Sequence, residues 1–209
     1  YTDAGATSDG GEYVSVMEEN VNTSIVGTYT ITYTATDASG NSDMAFRTVT
    51  VVDTTAPVVT LNSELMVTLE VGSIYTDLHY TQPIATDNYD GDLTSSIVTV
   101  STLDTSIVGT YTITYTATDA AGNVGTATRT VTVVDTTAPV ITVTPGTDTV
   151  EQGSTWTDAG AIADGSETVT VSGTVDTAVV GTYTITYTAT DAAGNVGTAT
   201  RTVTVVDTT

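Results

Sequence analysis

Almost every side chain able to do chemistry in this sequence is a carboxylate. Its 209 residues hold 25 Asp and Glu against three Lys or Arg, one His and no Cys. Carboxylates on their own serve one chemistry well, the holding of a hard cation by oxygen. The run DNYDGD brings Asp87, Asp90 and Asp92 into one short segment. Asp53 ends a strand-like run, and Asp119 and Asn123 bracket the segment DAAGN. Oxygen ligands without thiolate or imidazole suit calcium, which takes 6 to 8 oxygens at roughly 2.3–2.6 Å. Asp135, Asp164, Glu167, Asp191 and Asn195 form a second set of the same kind. Asp, Asn and Gly also populate turns, because their side chains bond nearby backbone and tolerate left-handed conformations. At the level of sequence both readings stand.

Other chemistries fail for want of residues. A net charge of -22 leaves no basic patch for phosphate, so nucleic acid is not a partner. All three cations are arginines, Arg47, Arg129 and Arg201, so no lysine exists to form a Schiff base or a Lys–Asn isopeptide bond. Absence of cysteine removes disulfides, thiolate metal sites and thiol nucleophiles together. His79 lies in the irregular stretch DLHYTQP, where a surface or loop position is expected. No GxSxG, HExxH or phosphate-cradling loop accompanies it, and the reading is that the chain is not an enzyme. No apolar run approaches the roughly 18–20 residues that span a bilayer, and no signal-peptide pattern opens the sequence.

The elements that position these residues emerge from self-comparison. IVGTYTITYTATDASGN from Ile25 recurs as IVGTYTITYTATDAAGN from Ile107 and VVGTYTITYTATDAAGN from Val179. Each copy runs on to VVDTT, and Gly27 to Asp53, Gly109 to Asp135 and Gly181 to Asp207 are equally spaced. Length varies only in the N-terminal half of each copy. Module duplication accounts for this pattern. The DTTAP segments Asp53–Pro57 and Asp135–Pro139 mark boundaries, since proline ends ladder pairing. The expected domains are 1–55, 56–137 and 138–209, joined by short proline-stiffened linkers into a semi-rigid rod. The first lacks the opening strand of the other two, and the sequence reads as part of a longer protein.

Within a copy the periodicity is two. Tyr111, Ile113, Tyr115 and Ala117 share one face, and Thr110, Thr112, Thr114, Thr116 and Thr118 the other. DAAGN predicts a tight hairpin into a last strand carrying Val131 and Val133. Val58–Ser73 predicts a split first strand, Tyr75–Thr86 a second, and short strands follow to about Leu103. Six or seven short strands per copy predict an all-β immunoglobulin-like sandwich. That topology gathers Asp53, Asp87, Asp90, Asp92, Asp119 and Asn123 at the first junction, and the second set at the next. Tyr33, Tyr115 and Tyr187 are expected in the core, with a tyrosine corner as the alternative. The outward threonine rows suit solvent-facing strands. Trp156 replaces Tyr1 and Tyr75, either as a core aromatic or as a platform for glycan stacking.

These motifs carry a resemblance. VGTYTITYTATDAAGN followed by TVTVVDTTAP resembles the hyalin-repeat type of immunoglobulin-like module. YTDAGA with DNYDGDLT is similar to its bacterial relative, the immunoglobulin-like domain named after an insecticidal crystal protein. The resemblance implies extracellular placement at a bacterial surface, no catalysis, and a spacer or stalk role, while the oxygen ligands themselves make calcium the ion expected. Two alternatives stand beside it: a carbohydrate-binding accessory module, and a filament subunit assembled by strand complementation. The partners expected are neighbouring repeats of the same chain, other copies joined by strand addition, and glycans.

Overall fold

A computed structural model describes residues 1–18, 20–62, 65–76 and 82–208. The strands, in chain order, are β1 (Val14–Glu18), β2 (Gly27–Thr36), β3 (Ser42–Val51), β4 (Val58–Thr60), β5 (Met66–Glu70), β6 (Ile84–Asp87), β7 (Gly91–Asp92) and β8 (Val98–Ser101). They continue as β9 (Gly109–Thr118), β10 (Val124–Val134), β11 (Ile141–Val143), β12 (Thr149–Glu151), β13 (Ala161–Ala163), β14 (Thr170–Ser172), β15 (Gly181–Thr190) and β16 (Val196–Val206). One 3-10 turn, Thr94–Ser96, is the only helix among the described residues. The all-β class follows from the alternation of Val, Ile and Tyr with Thr, which suits a pleated, half-buried surface.

Two compact units divide the chain: residues 1–65, 76–102 and 112–129, and residues 66–75, 103–111 and 130–209. In the first unit β1, β2 and β3 form an antiparallel sheet in that order. A second sheet runs β4-β6-β7, and β8 pairs antiparallel with β9. Ile31, Tyr33, Ala85, Ile113, Tyr115 and Ala117 are its buried apolar residues.

In the second unit β5 lies parallel to the end of β10, with Val67 opposite Val131 and Glu70 opposite Val134. The last repeat has the sheet β12-β16-β15-β14, faced by the pair β11-β13. Here β12 is parallel to β16, and β16 to β15 is antiparallel over ten residue pairs from Gly181↔Val205 to Thr190↔Val196. Val67, Val131, Val133, Val150, Ile185, Tyr187, Ala189, Val203 and Val205 are buried. The opening strand is split as the sequence predicts, β4 and β11 going to one sheet and β5 and β12 to the other.

One expectation needs correction. The second strand is shorter than Tyr75–Thr86: it is β6, Ile84–Asp87, since Pro83 cannot donate to a ladder. Residues 77–81, His79 among them, lie outside the described residues. The core position expected of Tyr33, Tyr115 and Tyr187 is what the structure has, and other tyrosines make a corner-type bond. Tyr29, Tyr111 and Tyr183 donate their hydroxyls to the carbonyls of Ile25, Ile107 and Val179, at 3.0, 2.8 and 2.8 Å. Tyr33, Tyr115 and Tyr187 are buried in the core.

Candidate metal centre

The site begins with a turn. β6 ends at Asp87, and the β6–β7 connection reverses through Gly91, whose φ of 75° favours a residue without Cβ. Asp87 Oδ1 accepts the backbone N–H groups of Tyr89 (2.7 Å) and Asp90 (3.0 Å). Those bonds, that of Asp90 first, hold the Asp87 carboxyl below its usual pKa and keep it ionised. Asp90 Oδ2 then accepts the N–H of Ala120 at 2.8 Å, tying this loop to the β9–β10 hairpin.

In the hairpin, Asn123 clasps Asp119. Its backbone N–H donates to Asp119 Oδ1 and its side-chain amide to Asp119 Oδ2, both at 2.7 Å. The same amide donates to the backbone carbonyl of Asp53 at 3.3 Å, so the hairpin grips the linker. Close approach is possible because the next inward residue is glycine. A Cβ at Gly125 would stand 1.8 Å from the Pro57 carbonyl oxygen. Asp53 Oδ1 accepts the N–H of Thr55 at 3.0 Å.

The result is a cluster in which Asp53, Asp87, Asp90 and Asp119 each offer an oxygen within 4.8 Å of the others. Oxygens bound to one calcium at about 2.3–2.6 Å stand no more than about 5 Å apart, so one ion fits the grouping. Asp53 Oδ2 and Asp87 Oδ2 are buried with no hydrogen-bond partner. Buried carboxylates so close together repel one another unless a cation or a proton intervenes. Donor set, spacing and orphaned oxygens all match a hard divalent cation.

Two residues of the expected set stand differently. Asp92 is exposed and turned to Thr94, whose N–H it accepts at 2.9 Å, and it is not part of the cluster. Asn123 serves through its amide N–H, as the clasp on Asp119 and the linker. At the second junction Asp135, Asp164, Glu167 and Asp191 line one open hollow. Asn195 clasps Asp191, holding its carboxyl below the usual pKa, and donates to the Asp135 carbonyl at 3.1 Å. Gly197 repeats the close approach, a Cβ there standing 1.9 Å from the Pro139 carbonyl oxygen. Asp164 Oδ1 is occupied by the N–H groups of Val140 and Gly165, and among the described residues only the first junction gathers its carboxylates as ligands.

A second constellation escapes a reading by motif. Each arginine lies fourteen residues after a core tyrosine, on the inward phase of its strand. Arg129 is fully buried and reaches the Tyr115 hydroxyl at 3.3 Å. Arg201 donates to the Tyr187 hydroxyl (3.0 Å), to Asp148 (2.7 Å) and to the Thr144 carbonyl, and Tyr187 donates to Asp158 at 2.5 Å. Arg47 pairs with Asp3, which also accepts the Tyr33 hydroxyl at 2.7 Å. Burial, and then the Asp3 hydrogen bond, push the Tyr33 hydroxyl up to about 12. The signal was present as a lone charge on the apolar phase of a strand. These groups are mutually satisfied and act as structure.

Trp156 is half-buried against Val150, Val203 and Val205, with its indole N–H donated to the Thr147 carbonyl at 2.8 Å. Its ring is a lid on the core of the last repeat. That is the core alternative of the sequence reading.

With sheets, linkers and turns in place, the sequence matches the family described as "Bacterial surface protein, Ig-like domain" over residues 1–51, 59–133 and 136–205. The chain belongs to that family. Curated relatives of these Ig-like repeats include hyalin of Strongylocentrotus purpuratus, 40% identical over 103 residues, and hyalin of Lytechinus variegatus, 37% identical over 130 residues. The aligned parts are 47% and 59% of this chain but only 8% and 24% of those proteins. Among solved structures, the lipoprotein BT2262 of Bacteroides thetaiotaomicron is similar at 17% identity and a TM-score of 0.34, over 71% of this chain and 80% of that one. The Ig-like surface repeat is a non-catalytic type of domain. Among the described residues no helix is long and apolar enough to cross a membrane.

Proposed function

We propose that these repeats are spacer modules of a bacterial cell-surface protein, and that calcium locks the Asp53–Pro57 linker onto the repeat that follows it. The observation that carries this reading is the four-carboxylate cluster with two buried, partnerless oxygens. Its members come from the linker, the β6–β7 turn and the β9–β10 hairpin, so an ion bound by all three joins them. Calcium supplies charge neutralisation and up to 6–8 coordination positions. The protein supplies four anionic ligands, pre-oriented by Asn123 and by the backbone of the DNYDGD turn. Belonging to a surface-protein family supports the mechanical role.

Calorimetric titration of calcium into the chelator-treated chain tests the proposal. One site is expected, with a higher melting temperature in calcium than in chelator. Asp119→Asn should weaken binding at least tenfold, since it removes one of four charges. Absence of heat together with identical melts in calcium and chelator would remove the ion from the account.

A further inference from the structure

The three repeats share one hairpin and differ on the face it turns to solvent. In the first repeat the registers Val14↔Ala35 to Glu18↔Ile31 and Gly27↔Val51 to Thr36↔Ser42 fix which side chains of β1, β2 and β3 point outward. Every outward position holds Ser or Thr except three, Met17, Met44 and Phe46. These are 72%, 58% and 67% exposed. Phe46 is the only phenylalanine of the chain, and Met17 and Met44 are two of its three methionines.

The sheet itself does not need them. In the third repeat the β15–β16 hairpin keeps the same ten-pair register, and the counterparts of Met17, Met44 and Phe46 are Ser172, Thr198 and Thr200, all exposed. In the second repeat the counterparts are Val100, Thr126 and Thr128. The hairpin therefore closes on hydroxyl side chains alone. Large apolar groups gathered on one exposed face, where the fold does not require them, mark an interaction surface.

Two features select the partner. The first is charge: among the described residues this face carries none, in a chain whose net charge is -22. Two copies of so acidic a chain can meet there without setting carboxylate against carboxylate. The second is symmetry. Met17 lies opposite Thr32 and Thr32 opposite Phe46, so Met17 and Phe46 flank β2 in one row. A two-fold axis parallel to β2, above Thr32, brings Met17 of each copy over Phe46 of the other and Met44 over Ser15. Such a pairing is isologous, the patch being its own complement. Sulfur against an aromatic ring is a favourable contact, and aligned sheets pack about 10 Å apart. Hydroxyls that could orient a saccharide instead are partly engaged, Ser15 with the Thr34 carbonyl and Thr36 with Ser42.

We infer that the outward face of β1–β2–β3 is a self-association surface, which pairs two copies of this chain sheet to sheet with Met17 against Phe46. A face of this size covers about 400 Å² per copy, roughly half of the ~800 Å² that each partner gives to a standard interface. The pairing is accordingly weak and reversible, with a dissociation constant on the order of 0.1–1 mM. No residue of the carboxylate cluster lies on this face, and the test is run in chelator to keep the pairing apart from the ion.

Sedimentation equilibrium of the 209-residue chain, from about 10 μM to about 2 mM, should show a monomer–dimer equilibrium. It should tighten as salt is raised, because salt screens the repulsion between two acidic chains. Phe46→Thr and Met17→Ser, which install the residues of the third repeat, should each weaken the dimer at least tenfold and leave the melting temperature unchanged. The chain has no cysteine, so Met17→Cys combined with Phe46→Cys reads out the register. Oxidation should link two chains in that double variant and in neither single one. Within one chain β2 separates the two sites by about 10 Å, beyond the roughly 7 Å that a disulfide spans. A chain still monomeric at the highest concentration overturns the inference, whatever glycan or other protein is then found on the face. So does a dimer that both substitutions leave intact, or thiols that link as readily in the single variants.

Discussion

Gly125 offers a direct test of how the linker is held. A Cβ added there would lie 1.8 Å from the Pro57 carbonyl oxygen and 2.8 Å from its carbon, both backbone atoms unable to rotate away. Contacts below 3.0 Å do not persist, so in Gly125→Ala the linker must retreat by more than about 1 Å. Overpacking of this kind costs about 1–3 kcal/mol. In a domain of 60–100 residues each kcal/mol lowers the melting temperature by about 4–8 °C. The retreat also carries Asp53 away from Asp87, Asp90 and Asp119, whose oxygens now gather within 4.8 Å. Every 1.4 kcal/mol of lost binding energy is about tenfold in affinity, so calcium binding should weaken by about one order of magnitude or more. Asp43 is the counterpart of Gly125 in the first repeat and is exposed, and Asp43→Ala should change neither property. Scanning calorimetry and calcium titration of both variants make the measurement. If Gly125→Ala melted and bound calcium as the parent chain does, the linker would not be clamped as described.

Two further outcomes are expected. The Tyr33 hydroxyl titrates near 12 in the folded chain against 10.0 for a free tyrosine. Its neutral form therefore adds stability that is complete below pH 10 and is lost as pH rises through about 12. Tyrosinate absorbance followed alongside circular dichroism should show its ionisation coinciding with melting of the first repeat, and Tyr33→Phe should abolish that link. Trp156→Phe keeps the apolar contact but loses the bond to the Thr147 carbonyl, at a cost of about 0.5–1.5 kcal/mol in thermal unfolding. Unchanged stability there would mean the indole N–H is equally well served by water.

Sequence legibility followed the strength of local pattern. The hairpins β2–β3, β9–β10 and β15–β16 were plain because ten-residue alternation and the DAAGN or DASGN turn agree. The split first strand was readable from its two short apolar runs. Strand β6 was overextended, because apolar character alone does not show where Pro83 stops a ladder. At the metal centre the residue types were evident, but spacing could not separate Asp92, which caps its own turn, from Asp87 and Asp90. Asn123 is expected from sequence as an oxygen ligand, and its role as a clasp depends on which of its amide atoms faces the linker. The arginines show in sequence only as lone charges on the apolar phase of their strands. Their burial depends on contacts such as Arg201 to Asp148, 53 residues away, and no local pattern encodes such a contact.

That arrangement of the arginines has a bearing on survival outside a cell. Proteases of trypsin-like specificity need a lysine or arginine in a loose, accessible segment. This chain has no lysine. Arg129 and Arg201 are sealed inside strands, and Arg47 sits mid-strand, tied to Asp3. While folded, the repeats present such enzymes with no ready point of cleavage.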